Sequence, residues 1–204
     1  MTSIIELKKE YLKKKREIRK RLDEFRKKYE ESPEDLFVEM CYCLCTPLSK
    51  AEKVYKVINQ KNKSFLLKAS KEDLANFLKG NCRFHNNKAK YIHESRKFIS
   101  ELKKISKNPV EAREYLVKNV KGLGMKEAGH FLRNIGYKGL VILDGHILNC
   151  LKEFGVLKTN KRPSTVKEYL EIEKKMKTFA KKIKISVDEL DLLFWSMKTG
   201  KVLK

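Results

Sequence analysis

Apolar positions along this chain recur at the three-and-four spacing of α-helices, and no sustained alternation of the β-strand kind appears. Residues 4–30 read as one long basic helix with Ile18, Leu22, Phe25 and Tyr29 on a single stripe. Ser32-Pro33-Glu34-Asp35 stops it and caps the next helix, where Leu36, Met40 and Cys43 repeat until Thr46-Pro47. A helix over about 50–59 turns Ala51, Val54, Tyr55 and Ile58 inward. Ser70 with Asp73 opens a short helix that Gly80 closes, and 87–105 form another. Asn108, Pro109 and Glu111 start a helix with Ala112, Tyr115, Leu116 and Val120 on one face. The next begins near Met125 or Lys126 and ends at Gly136 and Gly139. Leu140 to Leu143 is a short apolar passage expected to be extended, followed by Asp144. Helices near 145–154, 165–183 and 187–198 complete the chain, the last with a Ser186–Glu189 capping box. The pattern predicts an all-α protein, and length and composition suit one compact unit of one or two lobes.

Charge narrows the partner. The 204 residues carry 48 Lys+Arg against 26 Asp+Glu, a net +22. Such an excess favours a polyanion through counterion release. A lysine-rich surface with a single Gln, Gln60, also fits heat adaptation, but adaptation raises both signs together. About 41% hydrophobic residues suffice for a sizeable core, and no apolar run approaches the ~20 residues of a membrane span. The N-terminal stretch is charged, with no secretory apolar core. Cys41, Cys43, Cys45, Cys82 and Cys150 contain no CxxC pair, so a zinc module is not expected, and the first three read as small core fillers. His85, His93, His130 and His146 are dispersed, and no metal is assigned.

The chemistry concentrates in Val120 to Leu148. Gly122 and Gly124 bracket Leu123 in a tight hairpin, where glycine accepts positive φ and close backbone approach. The free N–H groups of the helix that follows, with Met125 at its start, form an anion site at the hairpin tip. An ordinary helix–turn–helix corner would share the GxG pattern. Lys126 sits at the mouth of that helix, and Asp144 follows eighteen residues later. An amine attacks an electrophilic carbon only when neutral, and bringing a lysine from ~10.4 to near 7 takes roughly 4–5 kcal/mol, most of it from desolvation. Beside a phosphate grip the natural electrophile is a sugar C1′; simple phosphate contact is the other reading of Lys126. Asp144 reads both as the N-cap of the next helix and as a carboxylate that stabilises positive charge at C1′. These roles are compatible.

Val120-Lys121-Gly122-Leu123-Gly124-Met125-Lys126 and Leu143-Asp144-Gly145-His146-Ile147 resemble the hairpin and aspartate motifs of the endonuclease III-like, helix-hairpin-helix DNA glycosylases. The lysine-to-aspartate gap matches the bifunctional branch. Phe37 to Ala51 and Arg83 to Ala89 resemble further parts of that fold, although the usual Gln-Thr after the first barrel helix is absent, and coverage is about 33–150. The resemblance implies a two-lobed helical fold with an active-site cleft between the lobes. The barrel lobe would span 33–146, and 1–32 with 147–204 would form the second lobe. It also implies Lys126 as Schiff-base nucleophile, Asp144 as its partner, and Gly122, Gly124, Met125 and His146 on the DNA backbone.

Only Cys150 lies in the C-terminal half, so the four-cysteine iron–sulfur cluster of endonuclease III cannot form. A short, cluster-free, lysine-rich chain ending in Gly200-Lys201-Val202-Leu203-Lys204 is similar to the compact 8-oxoguanine DNA glycosylase/AP lyases found largely in archaea. In that group the terminal lysine, here Lys204, helps separate the lesion from guanine. Guanine N7 accepts a hydrogen bond whereas 8-oxoguanine N7 donates one, so an acceptor such as the chain-terminal carboxylate would discriminate. Trp195 and Phe84 are the candidates to stack an extruded base. The resemblance thus implies a monomeric enzyme without cofactor, acting on 8-oxoguanine in double-stranded DNA, in a prokaryotic cytoplasm and nucleoid. A same-fold glycosylase for oxidised pyrimidines or mismatches, or a non-catalytic hairpin module, are the alternatives.

Overall fold

Short polar side chains punctuate the chain by taking up the first free N–H groups of its helices. Ser32 accepts from Asp35 N, Ser70 from Asp73 N, Asn108 from Val110 N, Thr165 from Glu168 N, and Ser186 pairs reciprocally with Glu189. The computed structural model describes residues 3–60 and 63–202. Their helices are α1 (Ile4–Lys28), α2 (Pro33–Cys45), α3 (Ala51–Gln60), α4 (Lys63–Lys68), α5 (Lys71–Leu78) and α6 (His85–Ser95). A 3-10 segment, Arg96–Glu101, follows. Then come α7 (Pro109–Asn119), α8 (Met125–Asn134), α9 (Gly145–Glu153), α10 (Val166–Ile183) and α11 (Val187–Thr199). No β-strand occurs among the described residues, and the all-α expectation holds.

Several details depart from the sequence reading. α1 buries Leu7, Tyr11, Ile18 and Phe25, while Leu22 and Tyr29 are only half-buried. Tyr11, Ile18 and Phe25 repeat every seven residues, so the seam is narrower than the expected stripe. Tyr55 is 47% exposed, because Val54, Val57 and Ile58 take the inward positions of α3. α4 was not anticipated; its one buried residue, Leu66, gives no periodic signal. The expected 87–105 helix begins earlier, at His85, and tightens at Arg96. There the Arg96 guanidinium turns to donate to Leu66 O (3.0 Å) and Ala69 O (2.7 Å).

Contacts group the chain into two units, Lys28–Ile135 and Met1–Lys27 with Gly136–Lys204. The resemblance drew these boundaries at 33 and 146. In the first unit α2 is buried on nearly every side, with α3, α4, α6, the 3-10 segment and α8 packed on it. α5 lies on α6 and α7 on α8. Cys41, Cys43 and Cys45 are buried in this core, and Cys82 and Cys150 are buried too; none of the five is in a disulfide. Glu39 is the polar exception on α2. It accepts from Asn134 Nδ2 at 2.8 Å, and Asn134 Oδ1 in turn accepts from Arg133 Nη2 at 3.0 Å.

In the second unit α11 packs on α9 and α10. Leu140, Val141, Ile142 and Leu143 are buried and irregular rather than extended throughout: Asp144 N donates back to Ile142 O at 2.8 Å, and no strand among the described residues pairs with the passage. Tyr169 replaces that strand: its hydroxyl donates to Val141 O (2.7 Å) and accepts from Leu143 N (3.2 Å). Upstream, both Asp188 carboxylate oxygens accept from Gly139 N. Glu189 ties α1 to α11, accepting from Tyr11 Oη and Arg19 Nε, each at 2.9 Å. Burial pushes the Glu189 carboxyl up, but bonds from Arg19, Ser186 and Tyr11 outweigh it and hold the group below its ordinary value.

A carboxylate held low in the folded state stabilises the fold above its unfolded-state value and loses that contribution as pH falls through the folded-state value. Glu189→Gln is therefore expected to cost about 2 kcal/mol at neutral pH. Its melting temperature should converge on that of the wild type as acid is added below the ordinary value of 4.5. A difference that stays constant with pH would refute this account.

Candidate active site

The first unit carries the hairpin. α7 ends at Asn119; Val120 and Leu123, both buried, anchor the turn, and Leu123 N donates to Val120 O at 3.1 Å. Gly122 has φ +95°, which disfavours any L side chain. A Cβ there would also lie 2.5 Å from Tyr91 Cδ2 and 3.0 Å from Leu44 Cδ2. Gly124 differs from the expectation. Its φ of −86° and ψ of −174° are extended backbone open to any residue. A Cβ on Gly124 would instead meet Glu127 Oε2 at 3.1 Å, so the glycine makes room for that carboxylate.

Gly124 is the N-cap of α8 and supplies no side-chain cap. The leading N–H groups of α8 are thus left for an external acceptor, and an anion is favoured there by the helix dipole. Met125 begins the helix and is half-buried. Lys126 follows, with its side chain 25% exposed and Nζ 3.5 Å from Glu127 Oε1. Glu127 went unremarked in the sequence, where an acid at the third helical position reads only as a favourable dipole contact.

Phe84 belongs to the same unit. It precedes α6 in a left-handed conformation (φ 56°), and its ring is 56% exposed beneath the Arg83 guanidinium, 5.6 Å from centroid. The structure gives Phe84 no core role. A left-handed, exposed aromatic is uncommon and is consistent with a binding surface.

The second unit carries Asp144 as the N-cap of α9, its Oδ1 accepting from Ile147 N at 2.8 Å. This bond fixes the carboxylate while leaving Oδ2 available. His146 is exposed and meets Trp195 edge-on, ring centroids 6.2 Å apart at 85°. The structure thus brings together two residues that the sequence had placed in separate roles. α11 ends at Gly200 in left-handed backbone, and Val202 is buried. Lys204 lies outside the described residues. Arg162, unmarked by any motif, comes within 3.9 Å of where a side chain on Gly145 would begin.

No helix among the described residues is long and apolar enough to cross a membrane. The model of the 8-oxoguanine DNA glycosylase family matches residues 18–185. An 8-oxoguanine DNA glycosylase/AP lyase of Fusobacterium nucleatum is 39% identical over 180 residues, 83% of this chain and 82% of its own length. One of the same name from Methanocaldococcus jannaschii is 37% identical over 177 residues, covering 85% of each chain. Among solved structures, the 8-oxoguanine DNA glycosylase of Thermotoga maritima has a TM-score of 0.92 at 34% identity, with 98% of both chains covered. The Methanocaldococcus jannaschii glycosylase/lyase, solved with a 15mer DNA containing 8-oxoguanine, has a TM-score of 0.91 at 35% identity and covers 98% of this chain and all of that one (100%). An all-helical chain with an uncapped lysine-bearing hairpin, similar along most of its length to these proteins, belongs to the 8-oxoguanine DNA glycosylase family.

Proposed function

We propose that this chain is a bifunctional repair enzyme that excises 8-oxoguanine from duplex DNA and then cleaves the strand as an AP lyase. The observation that carries the reading is its likeness, over most of its length, to glycosylase/AP lyases, one of them solved on 8-oxoguanine DNA. The net +22 charge supplies the general attraction to the phosphate backbone. The uncapped start of α8 takes a phosphate at Gly122, Gly124 and Met125, which aligns the sugar with the Lys126 amine.

The neutral Lys126 amine attacks C1′, and the N-glycosidic bond breaks as the base leaves with its electron pair and takes up a proton. Opening of the sugar ring gives an iminium joined to Lys126. Loss of a C2′ proton then expels the 3′ phosphate by β-elimination, and water releases the lysine. Asp144 stabilises the positive charge that develops at C1′ while its other oxygen holds α9. Phe84 and Trp195 stack bases displaced from the helix, His146 faces the backbone, and Lys204 reads the N7 hydrogen of the lesion. Val202, the last described residue, is buried. The enzyme acts as a monomer, without metal or cofactor, on the nucleoid in a prokaryotic cytoplasm.

Borohydride is expected to trap the wild-type chain on an 8-oxoguanine duplex, while Lys126→Gln gives no adduct; an adduct of wild-type yield would end the assignment. Asp144→Asn keeps a capping oxygen, so binding should persist while single-turnover base release slows on the order of 100-fold. Loss of binding with an unchanged rate would leave Asp144 with capping alone. Gly122→Ala should lower unfolding free energy by roughly 2–4 kcal/mol and weaken duplex binding well beyond Gly124→Ala. Equal effects of the two alanines in denaturation and binding titrations would show that the hairpin geometry is misjudged.

A further inference from the structure

Lys88 is one of the buried charged residues for which this mechanism has no use. It is 4% exposed, in the first turn of α6, and its ammonium is saturated by three acceptors. Nζ donates to Cys45 O (2.6 Å), Pro47 O (2.7 Å) and Ser49 Oγ (2.8 Å). Ser49 Oγ also accepts from Arg83 N at 3.0 Å. Lys88 N itself donates to Phe84 O at 3.1 Å. One side chain therefore joins the turn after α2 to the turn before α6. Those two turns contain two of the positive-φ non-glycine residues, Leu48 (φ 55°) and Phe84 (φ 56°), and each is a large apolar residue more than half exposed (55% and 56%).

Stability alone explains this arrangement poorly. A buried ammonium costs several kcal/mol of desolvation, and among the described residues Lys88 has no anion beside it to offset that cost, only two carbonyls and a hydroxyl. Burial accordingly lowers the proton affinity of Lys88 below the ordinary lysine value. A clamp that holds two strained, solvent-facing apolar residues at fixed separation has a use beyond the core.

We propose that Lys88 is a positioning residue for base extrusion, locking the 45–49 and 83–88 turns into one platform that presents Leu48 and Phe84 to the unstacked bases of the duplex. The proposal rests on the reading of this chain as an 8-oxoguanine glycosylase. Extrusion leaves a gap in the stack and a base without neighbours; a rigid platform lets Leu48 fill the first while Phe84 stacks the second, at little entropic cost. Without the clamp the turns move independently and the extruded state is populated less.

The test uses two variants of the full chain. Lys88→Met keeps the stem and removes the donors. Lys88→Met also removes a positive charge from the unit that carries Lys126, so Ser49→Ala, which retains the ammonium and cuts its link to Arg83, separates positioning from charge. Single-turnover excision of 8-oxoguanine from a duplex should fall roughly tenfold or more in both. Borohydride trapping of Ser49→Ala on a single-stranded oligonucleotide with a preformed abasic site, which has no base to extrude, should match the wild type. Wild-type excision by either variant, or parallel loss of excision and trapping in Ser49→Ala, overturns the proposal. Melting curves identify a misfolded Lys88→Met, and Ser49→Ala then decides. A wild-type chain that excises no 8-oxoguanine while still trapping the abasic strand would overturn the parent reading, and the role of Lys88 in extrusion with it.

Discussion

The absence of a side chain at Gly122 is the constraint on which the candidate site depends. Tyr91 from α6 and Leu44 from α2 close over that position so tightly that a Cβ would fall within 2.5 Å of the tyrosine ring. The backbone can therefore turn with φ +95° and send α8 away with its first N–H groups uncovered. Everything proposed for Lys126 follows from this departure. A bulkier hairpin would displace a packed ring and move the lysine with it, and protein interiors absorb such shifts poorly. Leu44 is followed by Cys45, and Tyr91 lies one turn beyond Lys88. The hairpin contact and the Lys88 clamp thus share the same two helices, so the proposed phosphate grip, the proposed nucleophile and the exposed apolar platform are referenced to one packing centre.

The second unit solves a different problem. An acid proposed to assist at C1′ must be fixed and reachable, and helix capping meets the first need. Asp144 spends one oxygen on Ile147 N and keeps the other. The passage leading to it is apolar and buried, which would leave main-chain groups unsatisfied were Tyr169 not there to take the place of a neighbouring strand. Asp188 performs a similar service at Gly139, and Glu189 holds α1 against the start of α11. Polar side chains on α10 and α11 thereby organise the approach to the carboxylate.

Much of this was legible in the chain. Caps at Ser32, Ser70, Asn108 and Ser186 stand out because their signal is local, a short polar residue before a helical run. Lys126 and Asp144 stand out because glycines and a fixed spacing surround them. What the sequence concealed depends on distant partners. Lys88 looks like any surface lysine, since its acceptors include main-chain carbonyls some forty residues away (sequence separations 43 and 41). Tyr169 reads as one more residue of an amphipathic helix. Leu22 and Tyr55 were placed inward by periodicity, and the actual contacts chose neighbouring rows. Of the hairpin's two glycines only Gly122 uses the positive φ that glycine accepts; Gly124 is extended, and its missing Cβ leaves room for the Glu127 carboxylate.

The central claim is that the amine at the start of α8 forms the covalent bond to C1′. Peptide mapping by mass spectrometry of the borohydride-reduced adduct between the wild-type chain and an 8-oxoguanine duplex tests it most directly. The account predicts the sugar on the peptide that carries Lys126, at that residue. An adduct on Lys121, Lys88 or any other lysine would contradict it.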